Sequence, residues 1–313
     1  MRRPHSSRLL APAAALLLAT ACGAEHADTG RGAGADVPAP RATVTDPPVD
    51  GVRITSVTIP AASPSPTPSA TLGRVHADPL TVPGDSGISA AYQVSNDGDE
   101  AMTYTVLFDF TTDTGAVMDN KEVTVAGVQP GRSTSGTVDL GVLVPGASPV
   151  TRVKVAKVTK VPADEAPAET GACPASGVRL WADDGDAAMG LRVVGLHLEN
   201  CGKRDYSLDG YPRLSLLDDN REPVDGIRIL HGGAAIASGT GFDEPPVPLV
   251  LKPGETALSG LIWRNTTLAG TAVNVPYVRV LAKPGAAPVT VTPGLDLGTT
   301  GKLGVGAWQR ADR

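Results

Sequence analysis

Few groupings in the 313 residues have the types and spacing to do chemistry, and the neighbours of each limit what it can do. Gly84-Asp85-Ser86-Gly87 sets a serine in a setting where it could be a nucleophile, but acyl transfer also needs a histidine base oriented by a carboxylate. The nearest histidine, His76, has no such context, and the tetrapeptide reads as a turn ahead of an alternating strand. Asp183, Asp184 and Asp186, with Asp218 and Asp219, could hold a hard cation through carboxylate oxygens. A calcium loop needs ligands at fixed alternating offsets and a closing bidentate Glu, and neither is present, so the cluster reads as a solvated turn. His5, His26, His76, His197 and His231 are scattered, and His197, between Leu196 and Leu198 on an alternating stretch, is expected to face solvent. Gly239-Thr240-Gly241 and Gly304-Val305-Gly306 lack the strand-to-helix setting of a nucleotide loop. No catalytic group, metal site or cofactor is expected.

Binding chemistry has more to work with. Trp181, Trp263 and Trp308 lie in or beside expected strands, where they would pack the core or cover an edge, the other reading being a platform for carbohydrate or a partner. Residues 232–248, GGAAIASGTGFDEPPVP, form the longest irregular stretch of the C-terminal half. Long loops on rigid sandwiches are where binding resides, which makes Phe242, Asp243 and Glu244 the candidate binding residues. The alternative is a solvated connection with Phe242 tucked against the sandwich.

The three cysteines divide into one and two. Cys22 closes an apolar run: Arg2, Arg3 and Arg8 form a positive n-region, residues 9–18 have the length of a signal h-region, and the small residues Ala19, Thr20 and Ala21 follow. The run is too short to span a bilayer. Residues 18–22 resemble the bacterial lipobox, with Ala19 where Leu is commonest. The resemblance implies a diacylglycerol on Cys22 and a membrane anchor, each buried methylene adding about 0.8 kcal/mol. The competing reading is plain secretion, with cleavage between Ala21 and Cys22. Cys173 and Cys201 then remain as one possible pair, and outside the cytoplasm a disulfide is the natural state. Closing that loop would contribute about 3–4 kcal/mol in the chain-entropy model. A metal site is the competing reading, without the usual CxxC or paired-histidine spacing.

Composition bounds the elements that must position these groups. Charged residues are 19%, aromatics 4%, and the 36 glycines and 28 prolines suit many short strands joined by tight turns better than helices. Removing Arg2, Arg3 and Arg8 from the 27 basic residues leaves 24 against 33 acidic ones, a formal charge of −9 that disfavours a nucleic-acid partner. Residues 1–21 read as signal peptide and 22–50 as a disordered tether of roughly 30 Å end to end. Residues 51–161 read as an immunoglobulin-like β-sandwich, in which 52–59 is a strand whose phase slips midway, as a bulge would make it. The Pro/Ser run at 60–69 cannot lie in a central strand. Residues 88–94 and 104–110 alternate on either side of Asn96-Asp97-Gly98-Asp99, a hairpin signal. Short strands are expected at 123–125, 137–142 and 150–161, and residues 162–171 form an acidic linker. A second sandwich, 172–310, has expected strands at 178–182, 191–199, 214–217, 227–230, 247–251, 256–264, 277–282, 289–292 and 302–309.

In that second half Cys173, the turn Asp183-Asp184-Gly185-Asp186, the LENCG stretch ending the 191–199 strand, Leu208-Asp209-Gly210-Tyr211-Pro212, LKPGETA and YVRV together resemble the domain of unknown function 4232 family of secreted lipoproteins of high-GC Gram-positive bacteria. The resemblance covers about residues 172–310 and implies a β-sandwich with no assigned activity. The family pattern would place a cysteine nearer Gly210, about where Tyr206 stands. The sequence thus reads as all-β: two tandem immunoglobulin-like antiparallel sandwiches behind a signal peptide and tether, lipid-anchored on the extracytoplasmic face of the cell membrane. It is expected to bind an envelope protein or glycan and not to be an enzyme, the alternatives being a secreted hydrolase or a structural spacer.

Overall fold

A computed structural model of the chain describes residues 40–61, 84–144 and 146–311. The signal peptide, Cys22, most of the expected tether, His76 and all but the first two residues of the Pro/Ser run lie outside the described residues. No helix occurs among the described residues, and the chain is all-β, as its composition requires.

Seven strands come first: β1 (Arg41–Thr43), β2 (Val52–Thr58), β3 (Ser89–Asn96), β4 (Met102–Thr111), β5 (Val117–Val128), β6 (Arg132–Asp139) and β7 (Arg152–Pro162). They make two antiparallel sheets, β1-β2-β3-β6 and β5-β4-β7. Because strand side chains alternate, β3 turns Ala90, Tyr92 and Val94 inward while β4 contributes Tyr104, Val106, Phe108 and Phe110, and one core closes between the sheets. The phase slip in β2 is a register shift between Ile54 and Ser56, which lets Val52, Ile54 and Val57 all face that core. The expected tether reached to residue 50, whereas Arg41–Thr43 pairs with β2 and Val44 N–H donates to Thr55 O at 3.1 Å. Chain order there comes from edge pairing, which a composition reading cannot register.

The C-terminal half has fourteen strands. These are β8 (Val178–Ala182), β9 (Asp186–Ala188), β10 (Leu191–Asn200), β11 (Tyr206–Leu208), β12 (Arg213–Leu217), β13 (Arg228–His231), β14 (Leu249–Leu251), β15 (Thr256–Arg264), β16 (Asn274–Val275), β17 (Tyr277–Leu281), β18 (Val289–Val291), β19 (Leu295–Asp296), β20 (Lys302–Val305) and β21 (Gln309–Arg310). The main sheet runs β13-β20-β15-β10-β8, with β9 on β10 and β21 on β15, and the small sheets β11-β14, β12-β17-β18 and β16-β19 complete this half. Leu196, Leu198, Leu208, Leu251, Leu261 and Leu303 form its core with Trp263 and Trp308. Both indoles are buried with their N–H satisfied, by Asp296 Oδ1 at 2.7 Å and by Ala282 O at 2.8 Å. The expected strand at 247–251 begins only at Leu249, since Pro245, Pro246 and Pro248 have no N–H to give a ladder.

The two halves repeat one device. Asn96, 2% exposed, donates from its amide to Glu100 O and Val128 O, both at 2.7 Å, and accepts Gly98 N–H at 3.0 Å. Asn200, also 2% exposed, donates to Arg204 O and Leu251 O, both at 2.8 Å, and accepts Gly202 N–H at 3.2 Å. Gly131 N–H closes on Asn96 O, and Gly254 N–H on Asn200 O. An Asn-x-Gly turn is thus locked to a distant Pro-Gly turn, Pro130-Gly131 in one case and Pro253-Gly254 in the other. The surrounding pairings correspond as well: β2-β3-β6 matches β8-β10-β15, and Met102↔Val128 matches Tyr206↔Leu251. They part where β4 meets β5 through the short turn 112–116, while β12 is separated from β14 by residues 218–248.

The acidic stretch after β7 is not a free linker. The Glu165 carboxylate accepts from Arg279 of β17 at 2.6–2.9 Å and from Thr290 Oγ1 at 2.8 Å, and Thr290 N–H donates to Glu165 O at 2.7 Å. The exposed edge of β18 is thereby covered. Nearby, Lys160 N–H donates to Tyr277 Oη at 3.3 Å, and Arg221 pairs with Glu100 at 2.5 Å.

Candidate functional site

The outer face of the main sheet near its β8 edge holds the densest set of functional side chains. In β8 and β10, Leu180, Leu196 and Leu198 point into the core, so the intervening Arg179, Trp181, His197 and Glu199 point out. The register pairs Trp181 with His197 and Arg179 with Glu199. Arg179 donates to Glu199 Oε2 from Nε at 3.0 Å and from Nη2 at 2.7 Å, and its guanidinium lies 4.2 Å from the centre of the Trp181 ring. The Trp181 and His197 rings stack, with centroids 5.1 Å apart and planes 10° apart. His197 Nε2 then lies 2.9 Å from Asp183 Oδ2, while Asp183 Oδ1 accepts Gly185 N–H at 3.0 Å and Gly195 N–H at 2.8 Å. One row therefore runs Glu199, Arg179, Trp181, His197, Asp183, alternating charge with flat rings.

That row sets limits on its own chemistry. The Trp181 ring is covered by a guanidinium and an imidazole, which leaves a partly exposed rim for a ligand. The histidine–carboxylate pair is half of an acyl-transfer apparatus, but among the described residues no Ser or Thr hydroxyl hydrogen-bonds the His197 ring. Beside the row a cavity of about 550 Å³ is lined by His197, Glu255, Thr256, Leu258 and Arg310. The Glu255 carboxyl is held below the usual carboxylate range by the Lys252 N–H and by Arg310.

The other sequence candidates are accounted for by local structure. Asp85 Oδ1 accepts Gly87 N–H at 2.9 Å and Ser86 Oγ accepts Ile88 N–H at 3.3 Å, so the Gly-Asp-Ser-Gly side chains build their own turn. Asp183 is spent on its turn and on His197, and among the described residues no group of three or more His, Cys, Asp or Glu is placed to hold a metal ion. In the loop 232–248, Phe242 is buried, its ring lying over Gly260 and Gly306, where any Cβ would collide with it. Asp243 accepts Gly239 N–H at 2.7 Å and the Thr240 hydroxyl at 3.3 Å, which shapes the loop, and Glu244 is exposed. The three residues expected to bind together thus divide into an anchor, a brace and one exposed carboxylate.

Cys173 and Cys201 form a disulfide, with Cα atoms 5.6 Å apart. It ties the segment entering β8 to the residue after Asn200, at the corner that locks this half. Residues 173–309 match the Domain of unknown function (DUF4232) family model. The match starts on the first disulfide cysteine and takes in the outer-face row, the Phe242 loop and both buried tryptophans. No curated protein matches the chain. Sequence reasoning missed Arg179 and Glu199 as partners of Trp181 and His197. The alternation within each strand marks their shared face, but which residues stand side by side depends on a register that a sequence does not carry.

Proposed function

We propose that the protein is a lipid-anchored binding module of the cell envelope, held at Cys22 on the extracytoplasmic face of the membrane and built of two tandem immunoglobulin-like sandwiches, of which the second is the DUF4232 domain. The observation that carries this reading is the division of the cysteines. Two are joined in a bond that belongs to an oxidising compartment, and the third follows an apolar signal-like run at the lipobox position. The intact mass of the membrane-extracted protein, with and without reduction, tests it. A chain starting at Cys22 with acyl chains, gaining two hydrogens on reduction, is the expected result, and a lipid-free chain would overturn the anchor.

Binding in place of catalysis is supported by the way the polar groups are used. Asp85, Ser86, Asp183 and Asp243 are committed to backbone N–H groups, while the outer-face row and the 232–248 loop offer surface. The ligand is an envelope protein or glycan. A photo-crosslinking residue at Glu244 in living cells is expected to capture one, and the absence of any adduct would leave the spacer reading. That second reading has its own observation, the Glu165–Arg279 contact that fixes the segment between the sandwiches.

A further inference from the structure

The stretch inserted in the second half of the repeat, residues 218–248, ends in Glu244-Pro245-Pro246-Val247-Pro248. Insertions in one copy of a repeat map to surface loops, often on the binding face. The backbone of this stretch is set by covalent geometry. Each proline fixes its own φ near −65°, and each following proline pushes the residue before it toward the extended region. Pro245, Pro246 and Pro248 therefore favour an extended, polyproline-II course through residues 245–248, which follows a bend at Glu244. Such a course has no internal hydrogen bonds, and its carbonyls and side chains stay outward.

The fold presents this strip and does not bury it. Residues 243–248 are all exposed, with Val247 at 67%. Both ends are fastened. Upstream, Phe242 is seated on Gly260 and Gly306, Phe242 O accepts Gly233 N–H at 2.9 Å, and Gln309 Nε2 donates to Gly241 O at 3.1 Å. Downstream, Leu249–Leu251 pairs with β11, and Arg310 donates to Val250 O at 2.8 Å. Between them the strip stands off the body over a cavity of about 380 Å³, lined by Glu244, Pro245, Val247, Pro248, Trp308 and Arg310. A partner can thus approach both flanks of the prolines. The strip carries one exposed carboxylate, Glu244, and the Arg310 guanidinium at its other end is paired with Glu255.

We propose that residues 244–248 are a preformed ligand strip for a partner protein whose groove is lined with aromatic side chains and reads polyproline II. Pro245 and Pro248, one turn apart, are the two residues that seat in it. A preformed extended strip loses little entropy on docking, and that is why such grooves select prolines. The groove's rim is basic beside Glu244. The proposal deepens the binding reading above and does not depend on the lipid anchor.

The test uses the mature chain purified in detergent and, as probes, one purified SH3-fold domain and one purified WW-fold domain. Each probe is fluorescently labelled and followed by anisotropy, beside a version of itself whose groove aromatics are replaced. Saturable binding of at least one intact probe is expected, weakened about tenfold or more in Pro245→Ala/Pro248→Ala, which corresponds to about 1.4 kcal/mol. Both prolines are exposed, so the double variant is expected to melt with the wild type. No binding by either probe, or binding that the double variant leaves unchanged, overturns the strip. If the double variant still forms the Glu244 crosslink to an envelope component in cells, the strip falls while the binding reading stands.

Discussion

The Asn96 corner and the Asn200 corner make the same bonds in different company. Each asparagine sits at the end of a long strand, satisfies the carbonyl four residues on, and reaches across to the carbonyl that precedes a Pro-Gly turn. At the first corner the next residue is Asp97 and the flanking ladders are long, with β4 and β5 paired from Met102 to Thr111. At the second the next residue is Cys201, cross-linked to Cys173, and the corresponding ladders are fragments of three and five residues, β11, β12 and β14. The side-chain corner is common to both, and the covalent bond is added where backbone pairing is short and residues 218–248 must also be closed into a loop.

The comparison breaks most visibly if the bond is removed. Cys173→Ser/Cys201→Ser is expected to cost about 3.5 kcal/mol, from the entropy of a loop of this length, and to lower only the transition of the C-terminal half in calorimetry. Loss of both transitions together would mean the halves do not melt as separate cores. Next in size are the asparagines themselves. Asn96→Ala removes the amide donor from the buried Val128 carbonyl and from the part-buried Glu100 carbonyl, and is expected to cost about 3 kcal/mol in urea titrations. Asn200→Ala is expected to cost about 2 kcal/mol while the neighbouring disulfide holds the turn, and more once the cysteines are replaced, a non-additivity that a double-mutant cycle measures. Equal costs in all backgrounds would show that the disulfide and the asparagine do not share the corner.

A smaller effect is expected at the feature that only the second half has. In Gly260→Ala the new methyl would occupy the place of the Phe242 ring, so the loop must lift or the sheet must shift. Overpacking of this kind costs about 1–3 kcal/mol. Hydrogen exchange should quicken at Gly233 and Gly239, whose N–H groups donate to Phe242 O and to the Asp243 carboxylate, and not at the Asn96 corner. Unchanged exchange in the loop would mean that Phe242 is not its anchor.

Much of this was legible in the sequence, and the rest was hidden for physical reasons. Residues 178–182 and 256–264 are bounded by turn residues and are strands with those bounds, and the phase slip in 52–59 is a bulge. The all-β class, the 173–309 match and the Cys173–Cys201 bond stood in composition, motif and cysteine count. The repeat did not, although Asn96-Asp97-Gly98 and Asn200-Cys201-Gly202 are both plain turn signals. Its meaning lies in side-chain bonds to carbonyls far along the chain, and the insertion at 218–248 puts the second Pro-Gly turn much further from its asparagine than the first. The outer-face row depends on register in the same way. Glu165 was least legible of all, one carboxylate in an acidic, Pro-rich stretch with no period to single it out.

Glu165 also supplies the smallest and most specific prediction, because it bears on whether the two halves act as one body. The Arg279 guanidinium beside it holds its carboxyl below the usual range, while the carboxylate in turn raises Arg279. A carboxyl that is lowered in the folded state contributes its stability above its unfolded value of about 4.3, and that contribution is lost as pH falls through the lower folded value. Glu165→Gln keeps the shape and removes the charge, so it should cost about 1 kcal/mol at pH 7 once solvent screening of the partly exposed Arg279 is allowed for. The gap to wild type should then close on acidification below the ordinary carboxylate range, read as convergence of the two melting curves. The absence of any gap at pH 7 would mean the contact is held by the Thr290 N–H to Glu165 O bond and by packing alone. The segment would then be fastened by its backbone, with the Arg279 ion pair contributing nothing to joining the repeat into one unit.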